Sequence, residues 1–229
     1  MNLIARTPVT TYLKALFVLI LLSLTGCSLP KSSTRALVYD FGPGPLTQTM
    51  RSPSNAAPAL ILSDVLANPA LDSNAMLYRL AYTNAQQLQP YAKARWSTTP
   101  AQLLRQRLRE QLGQQHALLN PGEQAPRSGS GGSANAALTL RIELEEFSQL
   151  FSSPTHSVGL LRLRATLSQN RPGAEPWLVQ RHIVVQRPAA SADAHGGVRA
   201  LSEASDEAAQ QLQDWLHSLT QTQPKPTPS

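Results

Sequence analysis

The chain has 229 residues, of which 41% are hydrophobic and 15% charged, and its formal net charge is +6. Its single cysteine excludes an internal disulfide, so the fold has to be stabilised by packing. The basic residues are scattered through the sequence, whereas nucleic-acid binding requires a clustered basic face with aromatic platforms. The composition therefore indicates one domain of ordinary size with no nucleic-acid partner.

The N-terminal segment has the layout of a secretory signal peptide. Arg6 and Lys14 form a basic start, and an apolar run follows from Ala15 to Leu24. A membrane-spanning helix needs ~20 apolar residues, about twice the length of this run. We therefore expect residues 1–26 to be removed. The remaining 203 residues carry a net charge of +4, since Arg6 and Lys14 are lost with the signal.

Leu24-Thr25-Gly26-Cys27 resembles the bacterial lipobox, in which the cysteine thiol attacks a diacylglycerol donor and the chain is cleaved before it. Cys27 is therefore the predicted lipid attachment site, residues 27–34 form a lipidated tether, and no cofactor is expected beyond this covalent lipid. The alternative is a core cysteine that follows an unrelated apolar helix. Ser28 at the next position resembles the sorting signal of outer-membrane lipoproteins, so we expect a lipid-anchored outer-membrane protein facing the periplasm.

Two strands and a hairpin are predicted before the first helix. Residues 35–41 alternate like a half-buried strand, and the apolar run 59–66 has the length of another. Residues 77–82 and 89–96 are typical of a hairpin around a polar turn. Pro90 places the return strand at an edge or interrupts it, because proline donates no ladder hydrogen bond.

Two amphipathic helices are predicted. A Thr-Pro pair at positions 99–100 is typical of a helix start, and a stripe of leucines continues until Gly113. Residues 198–219 repeat apolar residues at helical spacing, after a loop over residues 189–197. Residues 221–229 are rich in proline and polar residues, so we expect a disordered tail.

Residues 138–147, 158–168 and 177–186 are three further predicted strands. The first two alternate apolar and polar residues, which is the pattern of an antiparallel sheet with one solvated face. Charged residues on that face are expected to pair across neighbouring strands. They are Glu143, Glu145, Arg162 and Arg164.

These elements predict an α+β fold with a mixed or antiparallel sheet of about six to seven strands and two amphipathic helices packed on one face. Residues 35–220 are expected to form a single domain. The stretch from Gly42 to Pro58 and the glycine-rich loop 120–135 are predicted to be irregular, because they combine many Pro, Gly and Ser residues.

The sequence contains no pattern that predicts catalysis or metal binding. The five histidines show no metal-ligand spacing, and we expect them on the surface or in loops. They are His116, His156, His182, His195 and His217. The carboxylate pairs Glu145-Glu146 and Asp206-Glu207 point to different sides of their elements, so neither predicts an acid/base pair. We therefore predict that the protein is not an enzyme.

Four aromatic residues of the predicted hairpin are candidates for a partner-binding surface, since aromatics with a polar tip are common at interfaces. They are Tyr78, Tyr82, Tyr91 and Trp96. The alternative, which we favour, places them in the core or at its rim.

Four stretches together resemble the ABC-type transport auxiliary lipoprotein family. They are the lipobox, the segment from Tyr78-Arg79-Leu80 to Tyr91 and Arg95-Trp96, the helix Pro100-Ala-Gln-Leu-Leu-Arg-Gln-Arg-Leu, and Asp214-Trp215-Leu216 in the closing helix. The family includes the paraquat-inducible protein C-like lipoproteins, which are accessory components of lipid transporters with mammalian-cell-entry (MCE) domains. The glycine-rich stretch 128–133 and the loop 43–58 depart from the family pattern.

The resemblance implies an accessory or docking subunit of an ABC/MCE-type lipid transport system, anchored to the outer membrane and meeting the MCE-domain protein of an inner-membrane ABC transporter. It permits a homo-oligomer. Two alternatives stay open: a periplasmic lipid-binding carrier whose sheet and helices part around an acyl chain, and an assembly-factor lipoprotein of another envelope machine.

Overall fold

The structure is a computed structural model that describes residues 35–44, 58–123, 137–169 and 177–222. The predicted signal peptide, Cys27 with its tether, the glycine-rich stretch 128–133 and the end of the tail lie outside the described residues. Among the described helices, none has both the length and the apolarity needed to cross a bilayer.

The described residues form a mixed sheet of nine strands, more than the six to seven predicted. The strands are β1 (Leu37–Tyr39), β2 (Leu60–Leu62), β3 (Leu66–Ala67), β4 (Ala75–Leu80), β5 (Ala85–Trp96), β6 (Leu118–Leu119), β7 (Leu138–Ser153), β8 (His156–Gln169) and β9 (Trp177–Pro188). The single strand predicted over residues 59–66 is divided into β2 and β3. Polar Asp64 lies in the break, where its carboxylate pairs with Arg105 Nε at 3.2 Å.

Strand β7 is the centre of the sheet. On one side it pairs with antiparallel β8, and β9 lies outside β8. On its other side β7 pairs in succession with β2, β3 and β4, all parallel to it. β5 lies beside β4, and β1 pairs in parallel with the end of β5. β1 and β9 are therefore edge strands on opposite sides of β7.

The predicted alternation of β7 and β8 is confirmed. Their inward leucines and isoleucine are fully buried: Leu140, Ile142, Leu161, Leu163 and Leu167 are all 0% exposed. On the outer face, Arg164 Nη2 lies 2.7 Å from Glu145 Oε1 and its Nη1 lies 3.7 Å from Glu143 Oε2. Arg162 also pairs with Glu145, at 3.5 Å, so the predicted charge ladder is present.

The helices are α1 (Ala81–Asn84), α2 (Pro100–Leu112) and α3 (Ala194–Thr222), and Pro69–Leu71 forms a 3-10 turn. α1 replaces the polar turn predicted in the hairpin, and β5 starts directly after it. The predicted start and end of α2 are confirmed. The Thr99 hydroxyl accepts a hydrogen bond from the amide of Gln102, Pro100 is the first helical residue, and Gly113 follows the last turn.

Helix α3 begins at Ala194, inside the stretch predicted as a loop. It lies against β7, β8, β9 and α2. At Gly159 of β8 the approach is so close that a Cβ atom would overlap the backbone of Ala200 and Leu201. The layer between these elements is filled by apolar side chains that are fully buried. They include Leu104, Leu108, Leu163, Leu201 and Leu212, each 0% exposed.

Candidate partner-binding surfaces

Strand β9 has an open backbone edge beside an exposed apolar surface. β9 pairs with β8 over 12 residues, and within the described part of the chain no strand pairs with its other side. Such an edge presents unpaired N–H and C=O groups to another chain. Leu178 and Val184 are 60% and 53% exposed, and both project from the outer face of the sheet, since six residues separate them in an unbroken register.

The outer face beside β9 combines ion pairs with further apolar surface. Leu66 of β3 is 54% exposed, and the pairs between Glu143, Glu145, Arg162 and Arg164 lie between it and Val184. A shallow depression of about 530 Å³ lies over β3, β7 and β8. The hydrogen bond from Arg164 to Glu145 raises the pKa of Arg164, so the guanidinium stays charged. Charged pairs flanked by exposed apolar side chains suit contact with a protein better than capture of an acyl chain.

Trp96, the last of the four candidate aromatics, lies in the core with 1% exposure. Its ring contacts Phe41 edge-on at 5.8 Å between centroids and Phe147 at 5.6 Å. A side chain in this position has no surface to offer a partner.

Tyr78 and Tyr91 are half-buried and lie together, with ring centroids 4.7 Å apart. The Tyr91 hydroxyl donates to Gln149 Oε1 at 2.8 Å, and the Tyr78 hydroxyl donates to Gln89 Oε1 at 3.0 Å. Burial raises the pKa of Tyr91, and the charges of Tyr78 and Asp193 act in the same direction. The Tyr91 hydroxyl therefore remains a donor and supports the hairpin from within.

Tyr82 is the only one of the four whose side chain is classed as exposed, at 44%, and it lies on α1 at the tip of the hairpin. The structure thus separates the four candidates: two brace the hairpin, one fills the core, and one faces solvent.

A buried polar network holds the β4–α1–β5 hairpin against β7, and sequence reasoning missed it. Arg79 Nε and Nη2 donate to the two carboxylate oxygens of Glu146 at 3.3 and 3.0 Å. Ser148 donates to the same carboxylate at 2.7 Å. Farther along β7, Gln149 Nε2 donates to the Ser157 hydroxyl at 2.8 Å, so the amide of Gln149 joins Ser157 to Tyr91.

The network exists because β7 has a register shift between Leu144 and Glu146. Beyond the shift Glu146 and Ser148 lie on the outer face of the sheet, level with Arg162 and Leu160, whereas Gln149 lies on the opposite face, level with Gly159. All three are buried, each at most 6% exposed.

Glu145, at the shift, pairs with Arg162 and Arg164 on the outer face, and Glu146 lies level with Arg162 on the same face and binds Arg79. The prediction that these two carboxylates point to different sides is therefore wrong, because the shift places two consecutive residues on one face. The signal in the sequence was the pair Glu145-Glu146, which breaks the apolar-polar period.

Arg107 of α2 is a second buried polar centre. It is 6% exposed, and its Nη2 donates to the carbonyl oxygen of Phe41 at 2.8 Å. Its Nε lies 3.2 Å from Asp206 Oδ1 on α3. Burial raises the pKa of Asp206, and the charge of Arg107 opposes that rise. Arg107 thereby connects the segment after β1 to both long helices, and the cleft beside it has a volume of only about 110 Å³.

Within the described residues, no group of three His, Cys, Asp or Glu side chains lies close enough to hold a metal ion. His116 differs from the surface location that we expected of the histidines. It lies in the turn after α2 but is 5% exposed, with Nδ1 3.3 Å from the carbonyl oxygen of Pro58.

Comparison with known proteins identifies a family and a fold. The model of the family described as ABC-type transport auxiliary lipoprotein component matches residues 39–213. A crystal structure of a Xanthomonas campestris protein of family DUF330 has a TM-score of 0.60 at 18% identity, covering 81% of this chain and 98% of that one. A crystal structure of an uncharacterized protein has a TM-score of 0.53 at 15% identity, covering 80% and 99%. No curated protein matches. At these identities the likeness to solved structures concerns the fold alone.

Proposed function

We propose that this chain, which belongs to the family of ABC-type transport auxiliary lipoprotein components, is an accessory docking subunit of a lipid transport system. In this role Cys27 carries the lipid that anchors the protein to the outer membrane. The folded domain hangs in the periplasm and binds the MCE-domain protein of an inner-membrane ABC transporter, either as a single copy or as a homo-oligomer. The protein performs no catalysis.

The open edge of β9 is the observation that carries this proposal. A partner chain can add a strand to its 12 residues, with main-chain hydrogen bonds supplying affinity. Exposed Leu178 and Val184 on the adjacent face supply apolar contact, and the ion pairs around Arg164 supply a polar rim. Docking therefore requires no movement of the core.

The alternative function, a lipid-binding carrier, is supported by fewer observations than the docking function. Such a protein needs an apolar cavity between its sheet and its helices. Here the layer between α3 and strands β7 to β9 is occupied by buried side chains, among them Leu163 and Leu201 at 0% exposure. Mass spectrometry of a Cys27→Ala protein made without its signal would detect a co-purifying lipid if the carrier function were correct.

Capture of the MCE-domain protein tests the docking proposal. The partner used is the MCE-domain protein of the same organism's ABC lipid transporter, and the proposal expects its gene to lie beside this one with genes for an ABC ATPase and a permease. A Val184→Lys variant is expected to weaken capture about tenfold, the equivalent of ~1.4 kcal/mol, because it places an unpaired charge on the docking face. Val38→Lys is the matched control: Val38 lies on edge strand β1 and is 52% exposed, against 53% for Val184.

Two results would contradict the proposal. One is failure of the wild-type protein to capture any MCE-domain protein. The other is an equal loss of capture in the two valine variants, which would show that the β9 face has no special part. Neighbouring genes that encode a different envelope machine would favour the assembly-factor alternative.

The anchor is tested separately. Cys27→Ala is expected to leave the domain folded, because the domain core is built from residues that follow the tether, and to abolish activity in the envelope. Circular dichroism checks the fold, and membrane fractionation checks the anchor. Full envelope activity from the unanchored periplasmic form would overturn this part of the proposal.

A further inference from the structure

The backbone groups of β9 that face its open edge follow from one hydrogen bond. The amide of Ala189 donates to the carbonyl oxygen of Ser157 at 2.9 Å, and the next pair along the ladder joins Pro188 to Val158. In an antiparallel ladder, hydrogen-bonded pairs alternate with pairs whose N–H and C=O groups point away from each other. A pair of the second kind suits Pro188, since proline has no N–H. Because the register between β8 and β9 is unbroken, the even-numbered residues of β9 point their backbone groups outward.

The other side of β8 gives the same assignment. The amide of Leu138 and the carbonyl oxygen of Leu140 are bonded to the residues on either side of β2. Thr139, between them, therefore bonds to β8, where it lies level with Ser168. Alternation along β8 leaves its odd-numbered residues for β9, and these lie level with the odd-numbered residues of β9. The even-numbered residues of β9, which we call the outward residues, are Leu178, Gln180, His182, Val184 and Gln186.

The edges of β5 and β9 differ in how they are protected. β1 pairs only with the end of β5, so residues 85–93 have no strand on their outer side within the described ranges. That stretch contains Pro90 and Lys93, and natural proteins place proline and lysine on open edges to prevent strand addition. In β9 the proline is Pro188, the last residue of the strand, and there is no lysine. Each outward residue of β9 therefore offers a donor and an acceptor without interruption.

The charge of β9 indicates the chemistry of a strand that suits it. Residues 177–188 include Arg181, His182 and Arg187 but no Asp or Glu. Arg187 Nε pairs with the carboxylate of Glu207 on α3 at 2.8 Å. Arg181 is exposed, and among the described residues no carboxylate lies within ion-pairing distance of its guanidinium. A carboxylate on an added strand, level with Arg181, would gain a cross-strand ion pair.

A second copy of this chain does not supply that carboxylate through its own β9. Two β9 strands placed edge to edge would bring Arg181 and His182 of each copy together, and like charges on facing strands are destabilising. The edge of β5 in a second copy is protected by Pro90 and Lys93. Charge complementarity therefore favours a different chain at β9.

We infer that β9 accepts an extended, carboxylate-bearing segment of the MCE-domain protein, which hydrogen-bonds to the outward residues and places an Asp or Glu beside Arg181. This inference rests on the proposed function and specifies its contact. The added strand runs along residues 178–186, and Pro188 marks one end of it. Its carboxylate lies on the side of the sheet that α3 covers, because Arg181 is level with buried Ala165.

Two proline variants test the strand pairing. His182→Pro removes a donor that points outward, whereas Val179→Pro removes one that points to β8. His182→Pro is expected to weaken capture of the MCE-domain protein about tenfold, because the central hydrogen bond of the added strand is lost. Its urea midpoint should stay near that of wild type, since proline is tolerated where the N–H faces solvent, and Val179→Pro should lower the midpoint. His182→Ala keeps the N–H and should keep most of the capture.

Charge reversal tests the carboxylate without changing the backbone, and it decides the matter if His182→Pro does not fold. Arg181→Glu is expected to weaken capture by about tenfold, because it faces the partner's carboxylate with a like charge. Lys93→Glu is the matched control: Lys93 is also exposed and its reversal changes the net charge equally, but it lies on the edge of β5. Arg181→Lys should keep most of the capture. Unchanged or tighter capture by Arg181→Glu overturns the inference.

The outcomes separate this inference from the proposed function. Capture that is lost in Val184→Lys but kept in His182→Pro supports docking on the outer face and overturns strand addition. A wild-type oligomer that dissociates in His182→Pro, measured by sedimentation, would assign the edge to a second copy and overturns the inference as well. Failure of the wild-type protein to capture any MCE-domain protein overturns the proposed function and the inference with it.

Discussion

Two regions of the sheet share strand β7 but place different chemistry against it. Where β7 meets β8 and α3, the buried side chains are almost all aliphatic, as at Leu140 and Leu163. Where β7 meets the β4–α1–β5 hairpin, the buried side chains include Glu146 and Gln149, each with hydrogen-bond partners. The aliphatic region is stabilised by removal of apolar area from water, which tolerates changes of volume poorly. The hairpin depends on directional bonds, which are costly to leave unmade.

The difference matters for function, because the two regions are expected to respond differently to substitution. An apolar layer loses stability in proportion to the volume removed, and the loss spreads over the whole cooperative unit. A polar network loses stability when one partner is removed and regains part of it when both are removed. The variants below use these properties to separate the two regions.

Leu163→Ala is expected to have the largest effect. Leu163 is 0% exposed in the middle of β8, so truncation removes buried methyl groups and leaves a cavity beneath α3. The free energy of unfolding should fall by about 2–5 kcal/mol, measured by urea denaturation. Leu178→Ala, at a position 60% exposed, should change it by less than about 0.5 kcal/mol. Similar losses in the two variants would mean that the layer under α3 is not close-packed.

Glu146→Leu is expected to be the next most severe. It leaves the Arg79 guanidinium, whose side chain is 20% exposed, without the carboxylate that binds it through two nitrogens. Because Arg79 keeps some contact with water, we expect a loss of about 2 kcal/mol in the free energy of unfolding.

The double variant Arg79→Met/Glu146→Leu should recover part of that loss, since neither partner is then left buried and unpaired. As a control, Glu203→Gln breaks the exposed pair with Arg199 and should change stability by at most ~0.5 kcal/mol. Strict additivity of the Arg79 and Glu146 substitutions would show that the pair does not act as a unit.

Gln149→Leu tests the second half of the network. The side-chain amide is 0% exposed and is bonded to both Tyr91 and Ser157, so its removal leaves two hydroxyl groups without their partner. We expect the free energy of unfolding to fall by about 1–2 kcal/mol. Amide hydrogen exchange should become faster in β4 and β5 than it does in β8. Tyr91→Phe in the same background should restore part of the stability. Uniform acceleration of exchange through the sheet would contradict a distinct network in the hairpin.

Asp193→Ala is expected to have the smallest effect of these variants, a loss of about 1 kcal/mol in the free energy of unfolding. It removes the side chain that caps the first turn of α3. Hydrogen bonds from Gly196 and Ser191 hold the pKa of Asp193 below its ordinary value. A lowered folded-state pKa means that the stabilisation is present above the unfolded-state pKa and is lost as pH falls through the folded-state pKa. The difference in free energy of unfolding between wild type and Asp193→Ala, measured by urea denaturation as a function of pH, should therefore become smaller at acidic pH. A difference that stays constant with pH would assign the effect to helix propensity instead.

Sequence patterns predicted the aliphatic region well, because its buried apolar residues recur at the regular spacing of a strand or a helix. Alternation identified the inward residues of β7 and β8, and the Thr99 cap with Pro100 located the start of α2. Alternation contains no information about a register shift, so the position of Glu146 on the outer face and its burial there were missed. Pairing partners were equally inaccessible: nothing local to residues 60–67 indicates that β2 and β3 both lie parallel to β7.

The start of α3 shows a different limit of prediction from sequence. Residues 189–197 were predicted to be a loop, and Gly196 and Gly197 within that stretch weaken helix propensity. In the structure a Cβ at Gly197 would overlap the side-chain oxygen of Gln149, so glycine is required there by packing against β7. The sequence named Tyr82 among four candidates without favouring it, and the structure leaves it 44% exposed. It gave no reason to single out Leu178 or Val184, which lie on edge strand β9.

Helix α3 is the last described element of the chain, yet it covers strands that come much earlier. During synthesis, β7, β8 and β9 are complete while residues 194–222 are still to come, and the face of the sheet that includes Leu163 is open to water. A chain in that state exposes apolar surface and strand edges, which are the properties that promote aggregation. Folding is thus completed by the last described segment of the chain. A nonsense codon near Ala194 would consequently release an insoluble chain rather than a shortened working domain.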